Sequence, residues 1–124
     1  MEKINCPQDL NIYKESKTLA NSLWKKINAW DYLSKSTVGN QLIRSSDSIS
    51  ANIAEGFGRY HKKDKIKFFF NARASIYESI DWIEKIKDRN LINRAECEKL
   101  VDKLTIILKQ LNKLIKITNE KLKK

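Results

Sequence analysis

The stretch Gln41–Arg59, QLIRSSDSISANIAEGFGR, most limits what this chain can become. Leu42, Ile49, Ile53 and Phe57 recur at helical spacing and define one apolar face. Most positions between them are small: Ser45, Ser46, Ser48, Ser50, Ala51, Ala54, Gly56 and Gly58. Serine and glycine are mediocre helix formers, so propensity alone does not hold such a helix together. Small side chains do let neighbouring backbones approach closely. The segment therefore predicts a central helix packed on more than one side by longer helices.

The rest of the chain supplies those partners. Three glycines and one proline in 124 residues leave long stretches without breakers, which suits helices and argues against a turn-rich sandwich or barrel. Hydrophobic residues at 41% and charged residues at 32% fit a globular chain, and the length suits one domain over residues 1–124. No apolar run approaches the ~20 residues of a membrane span, and the N-terminus lacks a signal-peptide core. A cytoplasmic protein without membrane contact is expected. Cys6 and Cys97 are far apart and have no metal-type spacing, in keeping with a reducing compartment.

Four helices are predicted in an antiparallel, up-down-up-down bundle, an all-α fold. The first begins near Pro7–Asp9 and runs to about Ile27, with Tyr13, Leu19, Leu23, Trp24 and Ile27 as its stripe. Asn28–Ser36 forms the first connection, and Ser36 or Thr37 caps a second helix that reaches Arg59, where Gly56 and Gly58 allow a left-handed end. The third spans about Lys63–Arg89. It carries two apolar stripes, one through Ile66, Phe69, Phe70, Arg73, Ile76, Tyr77, Ile80 and Ile83, the other through Phe68, Ala72, Ser75, Ser79, Trp82 and Ile86. Two stripes exceed what a surface helix needs, so one of them is available to another helix or subunit. Asn93 and Glu96 form a capping-box pattern ahead of a fourth helix, which keeps its apolar spacing from Cys97 to Leu122.

The net charge is +10, concentrated after residue 60, and a basic balance of this kind favours a polyanionic partner such as RNA or DNA. The best candidate is the cluster Arg59, Tyr60, His61, Lys62, Lys63, Lys65 and Lys67, where phosphates would meet lysines and a base would stack on Tyr60. A solvated turn is an equally open reading of the same residues. A second lysine set, Lys109, Lys113, Lys116, Lys121, Lys123 and Lys124, reads first as a solvated helix face. Asn52, Glu55 and Arg59 share one face, and Glu55 and Arg59 are spaced for an ion pair. That trio is expected to tie the second helix to the third or to a neighbouring subunit. Arg44, Asp47 and Ser48 are spaced for a local pair. His61 is the only histidine, no HExxH or paired Glu-x-x-His motif is present, and GFGR lacks the lysine and spacing of a phosphate loop. Neither cysteine has a histidine base, so no metal, cofactor or catalytic residue is assigned and a non-enzymatic role is expected.

Gln41, Arg44, the run SIxANIAEGFGR at Ser48–Arg59, Lys65–Phe70 and Ala72–Glu78 together resemble a known family, the four-helix bundle proteins encoded in intervening sequences of bacterial 23S rRNA genes. The segment N-I-A-E-G-x-G-R carries most of the likeness, while the first and fourth helices match only in length and periodicity. The resemblance implies a ring-like homopentamer. It also implies kinship with the basic accessory variability determinant of diversity-generating retroelements, which handles RNA beside a reverse transcriptase. A reverse transcriptase or a ribosomal component is therefore an implied partner. Under this resemblance Arg44, Ser48, Asn52, Glu55, Gly56 and Arg59 form the structural and oligomer motif. Trp82 and Phe68–Phe70 make the third helix more aromatic than the family pattern suggests.

Overall fold

The structure, a computed structural model, describes residues 10–121, and among them it contains helices and no strands. The elements are α1 (Asn11–Asn28), the short α2 (Tyr32–Ser34), one turn of π geometry (Lys35–Gly39), α3 (Asn40–Gly58), α4 (Lys62–Asp88) and α5 (Arg94–Lys121). Lys35, Gly39 and Asn40 keep helical dihedrals across the joins, so α2, the π turn and α3 form one continuous rod. Among the described residues there are thus four long helices. Pro7–Asp9, Cys6, Leu122, Lys123 and Lys124 lie outside the described residues, as does the side chain of Lys121.

The second helix starts earlier than its sequence suggests. Asp31, not Ser36 or Thr37, is the cap, accepting a 3.2 Å hydrogen bond from the Ser34 backbone N–H. Hydrogen bonds from Ser34 hold the Asp31 carboxyl below its ordinary pKa. The Ser36 and Thr37 hydroxyls instead donate back to the Leu33 carbonyl inside the helix. The extra residue of the π turn is accommodated by Gly39, whose missing side chain leaves room for α1: a Cβ there would lie 2.6 Å from Ile27 Cγ2 and 3.0 Å from the Ser34 carbonyl oxygen.

The helix ends also divide differently. Gly56 and Gly58 are both helical, and α3 stops because Arg59 turns extended (φ −76°, ψ 148°). The left-handed end belongs to Asn90 (φ 58°) after α4. There the Asn90 N–H reaches the Lys87 carbonyl and the Leu91 N–H reaches Ile86, the paired bonds of a Schellman motif. Asn93 caps α5 as its sequence predicts, with Oδ1 accepting 2.8 Å from the Glu96 N–H. The Glu96 carboxylate does not complete the box; it pairs with Lys26 of α1.

Leu23 and Ile27 of α1, Leu42, Ile49 and Ile53 of α3, Ile76, Ile83 and Ile86 of α4, and Leu104 and Leu111 of α5 are fully buried in one core. Each such side chain contributes about 1.5–3 kcal/mol when removed from water. The helices close around this core in a cycle: α3 packs most extensively on α4, α4 on α5, α1 on α3, and α1 more sparsely on α5. That pattern is consistent with a bundle.

The small residues of α3 seal the α3–α4 seam. Ser79 Oγ donates to Ser45 Oγ at 2.9 Å with both residues buried, and Ser48 and Ser75 share a 3.0 Å hydroxyl bond. At the far end of the seam the Phe69 ring rests on Gly56, where a Cβ would come 2.6 Å from Phe69 Cε1 and 3.0 Å from the Lys65 carbonyl. Serine hydroxyls in mid-helix are tolerated because each finds a partner, on the neighbouring helix or on its own backbone.

Candidate nucleic-acid interface

The α3–α4 turn gathers the basic cluster at one end of the molecule, but the structure puts its members to different uses. Arg59 is held within the fold: its Nη2 lies 2.8 Å from Glu55 Oε2, and its guanidinium carbon sits 4.6 Å above the Phe68 ring. Lys65 also turns inward. Its ammonium donates to the Phe57 carbonyl at 2.7 Å and to the Gly56 carbonyl at 3.5 Å, closing the C-terminal end of α3, where the helix dipole favours a cation. Burial there pushes Lys65 below the usual lysine range. Both cations therefore have partners within the fold, Arg59 while its side chain stays about half exposed.

The other members face outward. Tyr60 is 89% exposed and packs edge-on against His61 with ring centroids 5.0 Å apart. Lys63 and Lys67 are exposed, and half-buried Lys62 reaches the Asn119 carbonyl near the end of α5 at 3.5 Å. His61, Lys62, Lys63 and Lys67, with Asp64, Ile66, Phe70, Asn71 and Asn119 but without Tyr60, line an open groove of about 910 Å³ between the start of α4 and the end of α5. Its lining joins apolar Ile66 and Phe70 to the cations Lys62, Lys63 and Lys67 and to the carboxylate of Asp64. Among the described residues Lys62, Lys63 and Lys67 enter no ion pair.

The motif residues form a second, polar feature beside the α3–α4 seam. Gln41, Arg44, Ser45, Ser48, Ser75 and Glu78 line a shallow depression. Asn52 Nδ2 donates to the Ser48 carbonyl and hydroxyl, both at 2.8 Å, and so joins the serine bridge to α4. Asn52, Ser48 and Gly56 thus act between the two helices, and Glu55 acts through Arg59. The local Arg44–Asp47 pair suggested by spacing does not form among the described residues. Partial burial instead raises the Asp47 carboxyl above its ordinary pKa.

The sequence spacing misleads at Arg73: it falls in an apolar stripe of the third helix, yet its guanidinium carbon lies 4.6 Å over the Phe70 ring and its Nη1 donates to Asn112 Oδ1 of α5 at 3.2 Å. Phe70 and Tyr77 of the same stripe are 43% and 56% exposed. An arginine three residues after one aromatic and four before another was the available signal. On α5, Lys109, Lys113 and Lys116 are exposed. Cys97 is buried, and burial raises its thiol pKa. No three His, Cys, Asp or Glu side chains gather at a metal-binding spacing among the described residues, and no helix there is long and apolar enough to cross a membrane.

Residues 8–113 match the family described as 23S rRNA-intervening sequence protein. This chain belongs to that family. The match spans α1 through most of α5, including the whole α3–α4 seam. The member is also similar to a crystal structure from Bacteroides thetaiotaomicron VPI-5482, described as a protein with unknown function from the S23 ribosomal protein family. The two align with a TM-score of 0.77 at 25% identity, covering 85% of this chain and 98% of that one. No curated protein matches this sequence.

Proposed function

We propose that this family member is a non-enzymatic, cytoplasmic, basic adaptor that binds nucleic acid, RNA in the first place, through the end of the bundle at the α3–α4 turn. The observation that carries the reading is the division of labour in the turn: Arg59 and Lys65 are engaged by the fold, while Lys62, Lys63 and Lys67 crowd the neighbouring groove without ion-pair partners among the described residues. Unpaired cations at such density repel one another, and a phosphate backbone relieves that repulsion without any base being read.

The bundle itself is read as up-down-up-down. Ser45 meets Ser79 while Ser48 meets Ser75, the crossed order of antiparallel neighbours, and the turns between the long helices are short. Self-association, a pentamer by family resemblance, would repeat the groove around an axis and convert a weak site into avidity. Exposed Tyr32 (85%) and Leu33 (70%) favour a second reading: contact with another protein, such as a reverse transcriptase or a ribosomal component, with no nucleic-acid role.

Replacing Lys62→Glu together with Lys63→Glu separates the readings. Retention of RNA at low salt falls to background while native mass and melting temperature hold. Unchanged retention would remove the proposed role.

A further inference from the structure

The outer face of α4 continues beyond the basic groove. Lys63, Lys67, Phe70, Ala74 and Tyr77 follow steps of four and three, so they form one straight stripe, and all are exposed. From Lys63 to Tyr77 the helix rises ~21 Å, at about 1.5 Å per residue. The stripe is cationic at the start of the helix and aromatic toward its middle. Ala74 leaves a gap between the two rings.

Arg73 flanks that gap, and its surroundings differ from those of Arg59. Both guanidinium groups sit 4.6 Å from a phenylalanine ring. Arg59 is neutralised by Glu55, whereas Arg73 is steadied by the uncharged Asn112 amide and has no carboxylate in ion-pair range among the described residues. Phe70 supports the plane from one side and Asn112 takes one N–H at its edge. The guanidinium is thus steadied at two points and has no ion-pair partner among the described residues. Such planes stack on unpaired nucleobases, and the remaining N–H groups suit phosphate.

We infer that the outer face of α4 is a track for single-stranded nucleic acid, with the Phe70–Arg73 pair and Tyr77 as stacking platforms and Lys63 and Lys67 holding the backbone. This rests on the nucleic-acid reading above and adds strand selectivity to it. A duplex hides the faces of its bases and can engage only the lysines, so the track favours a single strand.

The test compares a mixed-sequence RNA lacking self-complementarity with the same strand annealed to its complement, on the full chain. The wild type binds the single strand more tightly. Arg73→Lys keeps the charge but loses the plane; single-strand affinity falls about tenfold and duplex affinity stays put. Tyr77→Leu shows the same pattern more weakly. Lys63→Glu with Lys67→Glu weakens both substrates. Equal wild-type affinity for both strands would overturn the inference and leave the nucleic-acid reading standing, as would an Arg73→Lys variant indistinguishable from wild type. A change in native mass on Tyr77→Leu would overturn it too, because it would place this face between copies of the chain. Failure of the wild type to bind either strand would sink the underlying reading and the inference with it.

Discussion

Two faces of α4 treat polar groups in opposite ways. Toward α3, Ser75 and Ser79 are met by Ser48 and Ser45, and Phe69 is seated on Gly56, so every hydroxyl has a partner and the backbones lie close. Toward solvent, Lys63, Lys67 and Arg73 carry charge that no neighbouring carboxylate cancels among the described residues. The same helix thus carries polar residues that finish the fold and polar residues the fold leaves unfinished. Only the second kind is available for a ligand, and the difference lies in what each side chain meets, not in its type.

The sealed face breaks most readily at Gly56. A leucine there must displace the Phe69 ring and press on the Lys65 carbonyl. Overpacking of this kind costs about 3 kcal/mol, read as a large fall in thermal midpoint. A melt within a degree of wild type would show that the seam is looser than described. Next comes Ser45→Ala, which removes the buried acceptor of the Ser79 hydroxyl and costs about 1–2 kcal/mol. Adding Ser79→Ala to it removes the stranded donor, so the pair together costs less than the sum of the single changes. Strict additivity in that double-mutant cycle would mean the two hydroxyls do not interact.

Glu55→Ala sharpens the contrast from the other side. The Glu55–Arg59 pair is about half exposed, so its loss lowers stability by only ~0.5 kcal/mol. Its larger consequence is to release Arg59, and RNA retention rises. A drop in retention would place Glu55 in the interface itself. The smallest effect is at Asp31. Its carboxyl titrates below the ordinary aspartate value in the folded chain, so its stabilising contribution is fully present above that ordinary value and is lost as pH falls through the folded value. The melting-temperature gap between wild type and Asp31→Ala, present at neutral pH, closes in strong acid. A gap that persists there would assign the effect to something other than the ionised cap.

The helices and their core were legible because apolar spacing over several turns leaves few alternatives: Leu104, Ile107 and Leu111, or Ile49 and Ile53, have one face to bury and one core to enter. The family was legible from the α3 segment and its α4 partner. The ends were less so. Several residues near residue 31 can cap a helix, and only the path of the chain decides that Asp31 does. Gly39 and Gly56 look like ordinary helix breakers until a neighbouring side chain is seen to fill the space they leave. The basic cluster was visible as a run of residues, but its division was not. Lys65 and Lys67 are two apart, and one closes α3 while the other faces water, because helical geometry turns positions two apart to different sides. Arg73 was hidden for the opposite reason: its spacing is that of a core residue, and its role depends on Asn112 from another helix.

Nucleic-acid binding at this end of the bundle depends on Lys62, Lys63 and Lys67, none of them in an ion pair among the described residues, meeting phosphate. The most direct measurement is the affinity of the full chain for single-stranded RNA across a salt series. Three phosphate contacts predict a slope of log K against log salt of about −2, reduced to near zero by Lys62→Glu, Lys63→Glu and Lys67→Glu together. A wild-type slope already near zero, or a slope the triple variant leaves unchanged, would contradict it.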